Sequence, residues 1–223
     1  MIKVVGKNVI DLLAYQSGIL FVIKEPTANG QIKISYYSFD VSSKSIATVT
    51  KNAYLMTKFG PGYAAITERL DDYISCHAVR IADGRVFIIY PGGEIGIFSD
   101  SGELQHSQRL TYKNKAVSSI ASDGKNLWFA VPECNLVVRY NTDKLKIDLR
   151  IGNENSDTFN FPVSVSTEND RLFVCCKNSY SVKQIRFSDL SVSEYDSFIE
   201  PVLQFLKIAN GEFIVLPSGI YLI

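Results

Sequence analysis

Five short apolar runs at recurrent intervals, a tight turn ahead of each, and an aromatic residue followed by aspartate after four of them predict an all-β fold. The architecture expected is a five-bladed β-propeller with four-stranded antiparallel blades. Its last blade is closed by the N-terminal strand, and one short helical insertion falls at about 51–73. The runs are Ile19–Ile23, Val86–Ile89, Leu127–Val131, Leu172–Cys175 and Phe213–Leu216. With Phe21, Phe87, Trp128, Phe173 and Ile214 as equivalent centres, the intervals are 66, 41, 45 and 41 residues. Three agree, and the excess of about 23 in the first places the insertion between the first two units.

Each unit builds in the same order. A strand leads into a turn rich in Gly, Asn or Asp, which tolerate positive φ: Gln16-Ser17-Gly18, Ala82-Asp83-Gly84, Ser122-Asp123-Gly124, Glu168-Asn169-Asp170 and Ala209-Asn210-Gly211. The apolar run follows as the second strand. A third strand ends at Phe39-Asp40, Phe98-Ser99-Asp100, Tyr140-Asn141-Thr142-Asp143 or Phe187-Ser188-Asp189, and a more polar fourth follows, such as Glu103–Leu110, Lys144–Arg150 or Ser191–Phe198. A small sheet that is apolar at nearly every central position must bury both faces, and stacking around an axis does so. The last unit stops at Ile220–Ile223 without a fourth strand, so Ile2–Val5 is the expected donor that clasps the termini together. Residues 1–223 therefore read as a single domain.

Within the insertion, Tyr63, Ile66, Leu70 and Tyr73 recur at three, four and three residues, one stripe of a helix, with Pro61 near its start. A short amphipathic helix packed on the ring is expected there, as a structural strut or a functional lid.

Composition excludes several classes. Lys+Arg and Asp+Glu are 23 each, so no whole-chain charge favours nucleic acid or an anionic membrane. No apolar run approaches the roughly 18 residues a membrane helix needs, and Met1–Lys7 has no signal-peptide character, which reads as a soluble cytoplasmic protein. Cys76, Cys134, Cys175 and Cys176 form neither a disulfide framework nor a Cys-x-x-Cys signature and are expected as buried thiols. With only His77 and His106, no zinc-protease motif is possible, and no nucleophile elbow or phosphate loop occurs. Neither a metal, a cofactor nor a catalytic residue is assigned.

The units resemble β-propeller repeats of the NHL and YVTN kind, as in Pro162-Val163-Ser164-Val165 with Asp170–Val174 and Val182–Phe187. The similarity covers most of the chain outside 51–73, and the Gly-His and Trp-Asp dipeptides of the WD40 class are absent. The resemblance implies that ligands sit on the face carrying the fourth-to-first connections and the second-to-third loops. Ten residues before each centre stand Asp11, His77, Ser118, Val163 and Gln204, near the start of each innermost strand. Four are polar and would ring the mouth of an axial channel. The second-to-third loops add Glu133, Asn135, Lys177 and Tyr180. The competing role for all eight is structural: satisfying inner-strand backbone, channel water and loop turns.

These features favour a non-catalytic binding or interaction module that presents its loops and a polar channel mouth to a protein or small-molecule ligand. An alternative is a hydrolase or lyase acting on a sugar or lactone at the mouth, although glycosidic cleavage needs paired carboxylates and only Asp11 stands in the ring. A third reading is a scaffold subunit docking through the insertion. From Arg109 to Arg150 eight bases face four acids, and from Asn153 to Glu200 eight acids face four bases, an asymmetry that would favour steering or homo-oligomerisation.

Overall fold

The computed structural model describes every residue from Met1 to Ile223. Strand β1 (Ile2–Val5) precedes the first blade, made of β2 (Val9–Tyr15), β3 (Gly18–Pro26), β4 (Ile32–Asp40) and β5 (Ser45–Thr48). Helices α1 (Lys51–Phe59) and α2 (Tyr63–Thr67) then lead into the second blade, β6 (His77–Arg80), β7 (Val86–Ile89), β8 (Glu94–Phe98) and β9 (Leu104–Arg109). A small hairpin, β10 (Thr111–Tyr112) and β11 (Lys115–Ala116), introduces the third blade: β12 (Ser118–Ser122), β13 (Asn126–Val131), β14 (Leu136–Asn141) and β15 (Lys146–Gly152). The fourth comprises β16 (Pro162–Glu168), β17 (Arg171–Cys176), β18 (Ser181–Arg186) and β19 (Val192–Ser197). In the fifth, β20 (Gln204–Ile208), β21 (Gly211–Leu216) and β22 (Gly219–Leu222) are completed by β1, so the expected clasp is present.

The clasp pairs Ile2 with Leu222, Lys3 with Tyr221 and Val5 with Ile220. Gly219 permits it: at φ +139°, a Cβ there would lie 2.1 Å from the Val5 carbonyl oxygen.

Burial follows from the alternation of side chains along each second strand. Ile19, Phe21 and Ile23 face the fifth blade, whereas Leu20 and Val22 face the insertion and the second blade. Likewise Leu172 and Val174 pack toward the third blade, and Phe173 and Cys175 toward the fifth. The core is thus five clusters, one in each gap between neighbouring blades. All four cysteines are buried in these layers and unpaired.

The insertion differs in detail from the sequence reading. Its main helix is α1, in the first half, while the Tyr63–Tyr73 stripe yields only the five-residue α2. The signals for α1 are local: Thr50 accepts a hydrogen bond from the Ala53 N–H, and Gly60 ends the helix at φ +76° just before Pro61. Leu70 and Tyr73 still pack on the same core, held by coil. Tyr54, Leu55 and Phe59 of α1 fill the gap between the first two blades, together with Ile66 of α2.

Candidate functional site

The five inner strands β2, β6, β12, β16 and β20 surround an axial channel of about 280 Å³. Residues equally spaced in sequence do not form one level of its wall. Asp11 pairs with Val22 and Gln204 with Val215, whereas His77 pairs with Ile89 and Ser118 with Ala130, one pair nearer the mouth. The cause is that the aligned centres stand at different distances from their partners: Phe21 pairs with Leu12 and Ile214 with Phe205, nine residues back, but Phe87 with Val79, eight back, and Trp128 with Ala121, seven back, beyond which a bulge inserts Ser119. Val163 is only part-buried and packs beside the cluster between the fourth and fifth blades.

The deeper pair is already occupied. Asp11 is buried, and one carboxylate oxygen accepts from the Leu12 N–H at 2.9 Å. The other accepts from the Tyr54 hydroxyl at 2.6 Å and from Lys58 Nζ at 2.7 Å. Lys58 also donates to the Tyr54 oxygen at 2.9 Å and to the Ile74 carbonyl at 3.1 Å, so all three ammonium protons have acceptors. Burial is the main force pushing the Tyr54 hydroxyl far above the usual phenol range, followed by the Asp11 charge. Gln204 is likewise committed: its amide donates to the Leu12 carbonyl at 2.9 Å, joining the fifth blade to the first.

His77 and Ser118 remain available. With Glu133 they line a pocket of about 330 Å³ at the mouth between the second and third blades, beside Tyr90, Ser119 and Phe161. His77 borders both this pocket and the channel. Its ring makes contact with solvent but sits in a funnel of protein, and desolvation lowers its pKa, partly offset by the Asp11 charge. The Ser118 hydroxyl is buried and has no hydrogen-bond partner in the protein. Glu133 lies on the 3₁₀ turn Pro132–Cys134 and pairs with Lys115 at 2.5 Å, an exposed contact of little energetic weight.

The other loop candidates are dispersed. Asn135 adopts φ +51° and accepts from the Phe161 N–H at 2.9 Å, which anchors the approach to the fourth blade. It borders a separate polar hollow with Glu154, Asn160 and Lys183. Lys177 is exposed at the end of the β17 hairpin, and its backbone N–H bonds the Phe161 carbonyl. Tyr180 is exposed at φ +54° and its carbonyl accepts from the Phe198 N–H.

Three residues shape the channel wall without having been expected there. Tyr54 and Lys58 come from α1; the signal for them is an i, i+4 pair on the apolar stripe of a helix that opens at Thr50 and closes at Gly60. Ser119 is a bulge residue at φ +47°, and its hydroxyl accepts from the Val165 N–H at 3.1 Å, stitching the third inner strand to the fourth.

No sequence family and no curated protein matches the chain. Solved structures do. U3-55K superposes with a TM-score of 0.55 at 12% identity, over 97% of this chain and 61% of that one. Sqt1 of Saccharomyces cerevisiae gives 0.52 at 13% identity, over 96% and 72%. The computationally designed Ika8 protein gives 0.50 at 8% identity, over 93% and 55%. The chain therefore spans less than two thirds of U3-55K and Ika8. At these identities the likeness is one of fold, and the fold is a β-propeller. No helix is long and apolar enough to cross a membrane.

Proposed function

We propose that this propeller is a non-catalytic binding module, working in the cytoplasm, which receives a small polar ligand or the polar tip of a partner's loop at the mouth between its second and third blades. One observation carries the reading: the four polar residues expected in the inner ring divide into a pair spent on the fold, Asp11 and Gln204, and a pair beside the pocket whose side chains have no hydrogen-bond partner in the protein, His77 and Ser118. An unpartnered buried hydroxyl costs about 1–3 kcal/mol, which a ligand group at Ser118 recovers. A pocket of about 330 Å³ suits a compact ligand, with Tyr90 and Phe161 as apolar walls and His77, Ser118 and Glu133 as the groups that orient it.

Hydrolysis at the axis finds less support. Asp11 is the one carboxylate on the channel wall, and both of its oxygens are held by protein donors, so a second acid for glycosidic cleavage has no candidate there. The NHL and YVTN character of the blade motifs belongs to the same reading of a repeat ring that displays loops.

The test is native mass spectrometry of the protein isolated from its own cells, beside the variant Ser118→Trp, which fills the pocket. A bound species present on the parent chain and absent from the variant supports the proposal. Turnover of a panel of sugar, lactone and ester substrates by the parent chain overturns it.

A further inference from the structure

A cavity of about 550 Å³, larger than the channel and the mouth pocket, lies off the axis. Elsewhere a blade's face is covered by its neighbour, but beside the second blade the insertion stands in the way. Near the axis Tyr54, Leu55 and Phe59 fill the gap. Further out, Gly62 and Ala65 pack on the turn between β8 and β9 and the coil Arg69–Asp72 crosses the blade, and between them a groove is left open over the outer strands β8 and β9. Gly96 pairs with Ser107 and Phe98 with Leu104, so these four residues share one face and form the floor. Gly96 keeps that floor low: a Cβ there would lie 2.8 Å from the Phe98 ring and 3.0 Å from the Tyr90 hydroxyl.

The groove combines an apolar floor with unneutralised negative charge. Asp71, Asp72 and Glu94 border it against the single base Arg69. Asp72 is spent on capping, accepting from the Ile74 and Ser75 N–H groups. Asp71 and Glu94 are exposed and form no ion pair within the chain. Leu104 is 45% exposed at the rim. The Tyr90 hydroxyl, kept protonated up to about 12 chiefly by burial, makes no hydrogen bond to protein and stands at the inner end.

We propose that this groove, which adjoins the mouth pocket at Tyr90 and Pro91, is a second docking site, for an extended segment of a protein partner that carries an arginine or lysine beside apolar side chains. The cation sits between Asp71 and Glu94, the flanking apolar groups cover Leu70 and Leu104, and Tyr90 donates to the segment's backbone. Charge complementarity selects the sign of the partner, and the length of the floor calls for several side chains rather than a lone small cation.

The experiment is an NMR titration of the ¹⁵N-labelled full chain with acetyl-Ala-Leu-Arg-Leu-Ala-amide, the glutamate counterpart of that peptide, and spermidine. The expected result is saturable shifts at Leu70, Gly96 and Leu104 with the arginine peptide alone, weakening as salt is raised. Asp71→Lys and Glu94→Lys, both at exposed positions, lower the affinity at least about tenfold while the rest of the spectrum stays folded. Leu104→Ser, which leaves the charge unchanged, does the same from the apolar side. Absence of shifts up to about 5 mM peptide, a concentration at which millimolar affinities are already visible, overturns the proposal. Equal binding by the glutamate peptide or by spermidine also overturns it, as do shifts confined to the mouth residues.

Discussion

Lys58 is the side chain on which the insertion turns. A buried ammonium is tolerated because Asp11, Tyr54 and the Ile74 carbonyl take all three of its protons, and removing it strands a buried carboxylate. Lys58→Met is expected to lower stability by about 3–5 kcal/mol in urea denaturation, and the pair Lys58→Met with Asp11→Asn should regain a substantial part. If the double variant were no more stable than the single one, the charge pair would not be what fastens α1 to the ring. Ser119→Ala removes the acceptor of the Val165 N–H and leaves a non-glycine residue at positive φ. A loss of about 1–3 kcal/mol is expected, and Ser119→Gly should lose less because its backbone is relaxed there. The mouth bulge at Ser119 is thus a weld between blades, a role no spacing rule announced.

Among the elements, the clasp and the insertion behave oppositely with respect to sequence. The clasp was legible because the fifth unit supplies three strands and Ile2–Val5 reads as a strand outside the first unit, and an open edge is unfavourable. Gly219→Ala drives a Cβ into the Val5 carbonyl, so an unfolding loss of about 2–4 kcal/mol is expected, with faster amide exchange at Ile220 and Tyr221. Protection at those two amides equal to the parent's would rule out the close approach. The insertion was located correctly, but its helix was expected around the Tyr63–Tyr73 stripe. Periodicity marked the residues that face the core without marking which of them stay helical. The Gly60-Pro61-Gly62 break, with Thr50 as cap, divides the segment and favours α1.

At the scale of the whole molecule, stability below neutrality depends on pH through many small contributions of one sign. Hydrogen bonds from Ser75 hold the Asp72 carboxyl below its usual range, and Arg139 does the same for Asp148. Burial alone would raise Asp123, but donors from Asn126, Trp128 and Lys125 outweigh it and lower it as well. Groups depressed in the folded state contribute stability that is present above the ordinary carboxylate range and lost as pH falls through their folded values. His77 is also depressed, through desolvation; folding favours its neutral form, so its contribution is present above the ordinary imidazole value and lost below it. Unfolding midpoints should therefore be flat near pH 7–8, decline gently below about pH 6.5 and fall steeply below about pH 4. His77→Gln should flatten the gentle part and leave the acid limb intact. A decline between pH 7 and 5 as large in that variant as in the parent would remove His77 as its source.

What the sequence by itself determined was the repeat: five strand sets, their turns and the joining of the ends, because burial of both faces of every small sheet is written in which residues are apolar and how far apart they stand. Only the tertiary structure decided which polar residues of the inner ring stay open. The pairing register of the inner strand differs from blade to blade, and a lysine forty-seven positions from Asp11 reaches the channel wall only once α1 has packed between two blades. Side-chain partnership across a ring depends on packing between strands distant in sequence, and no local pattern carries it.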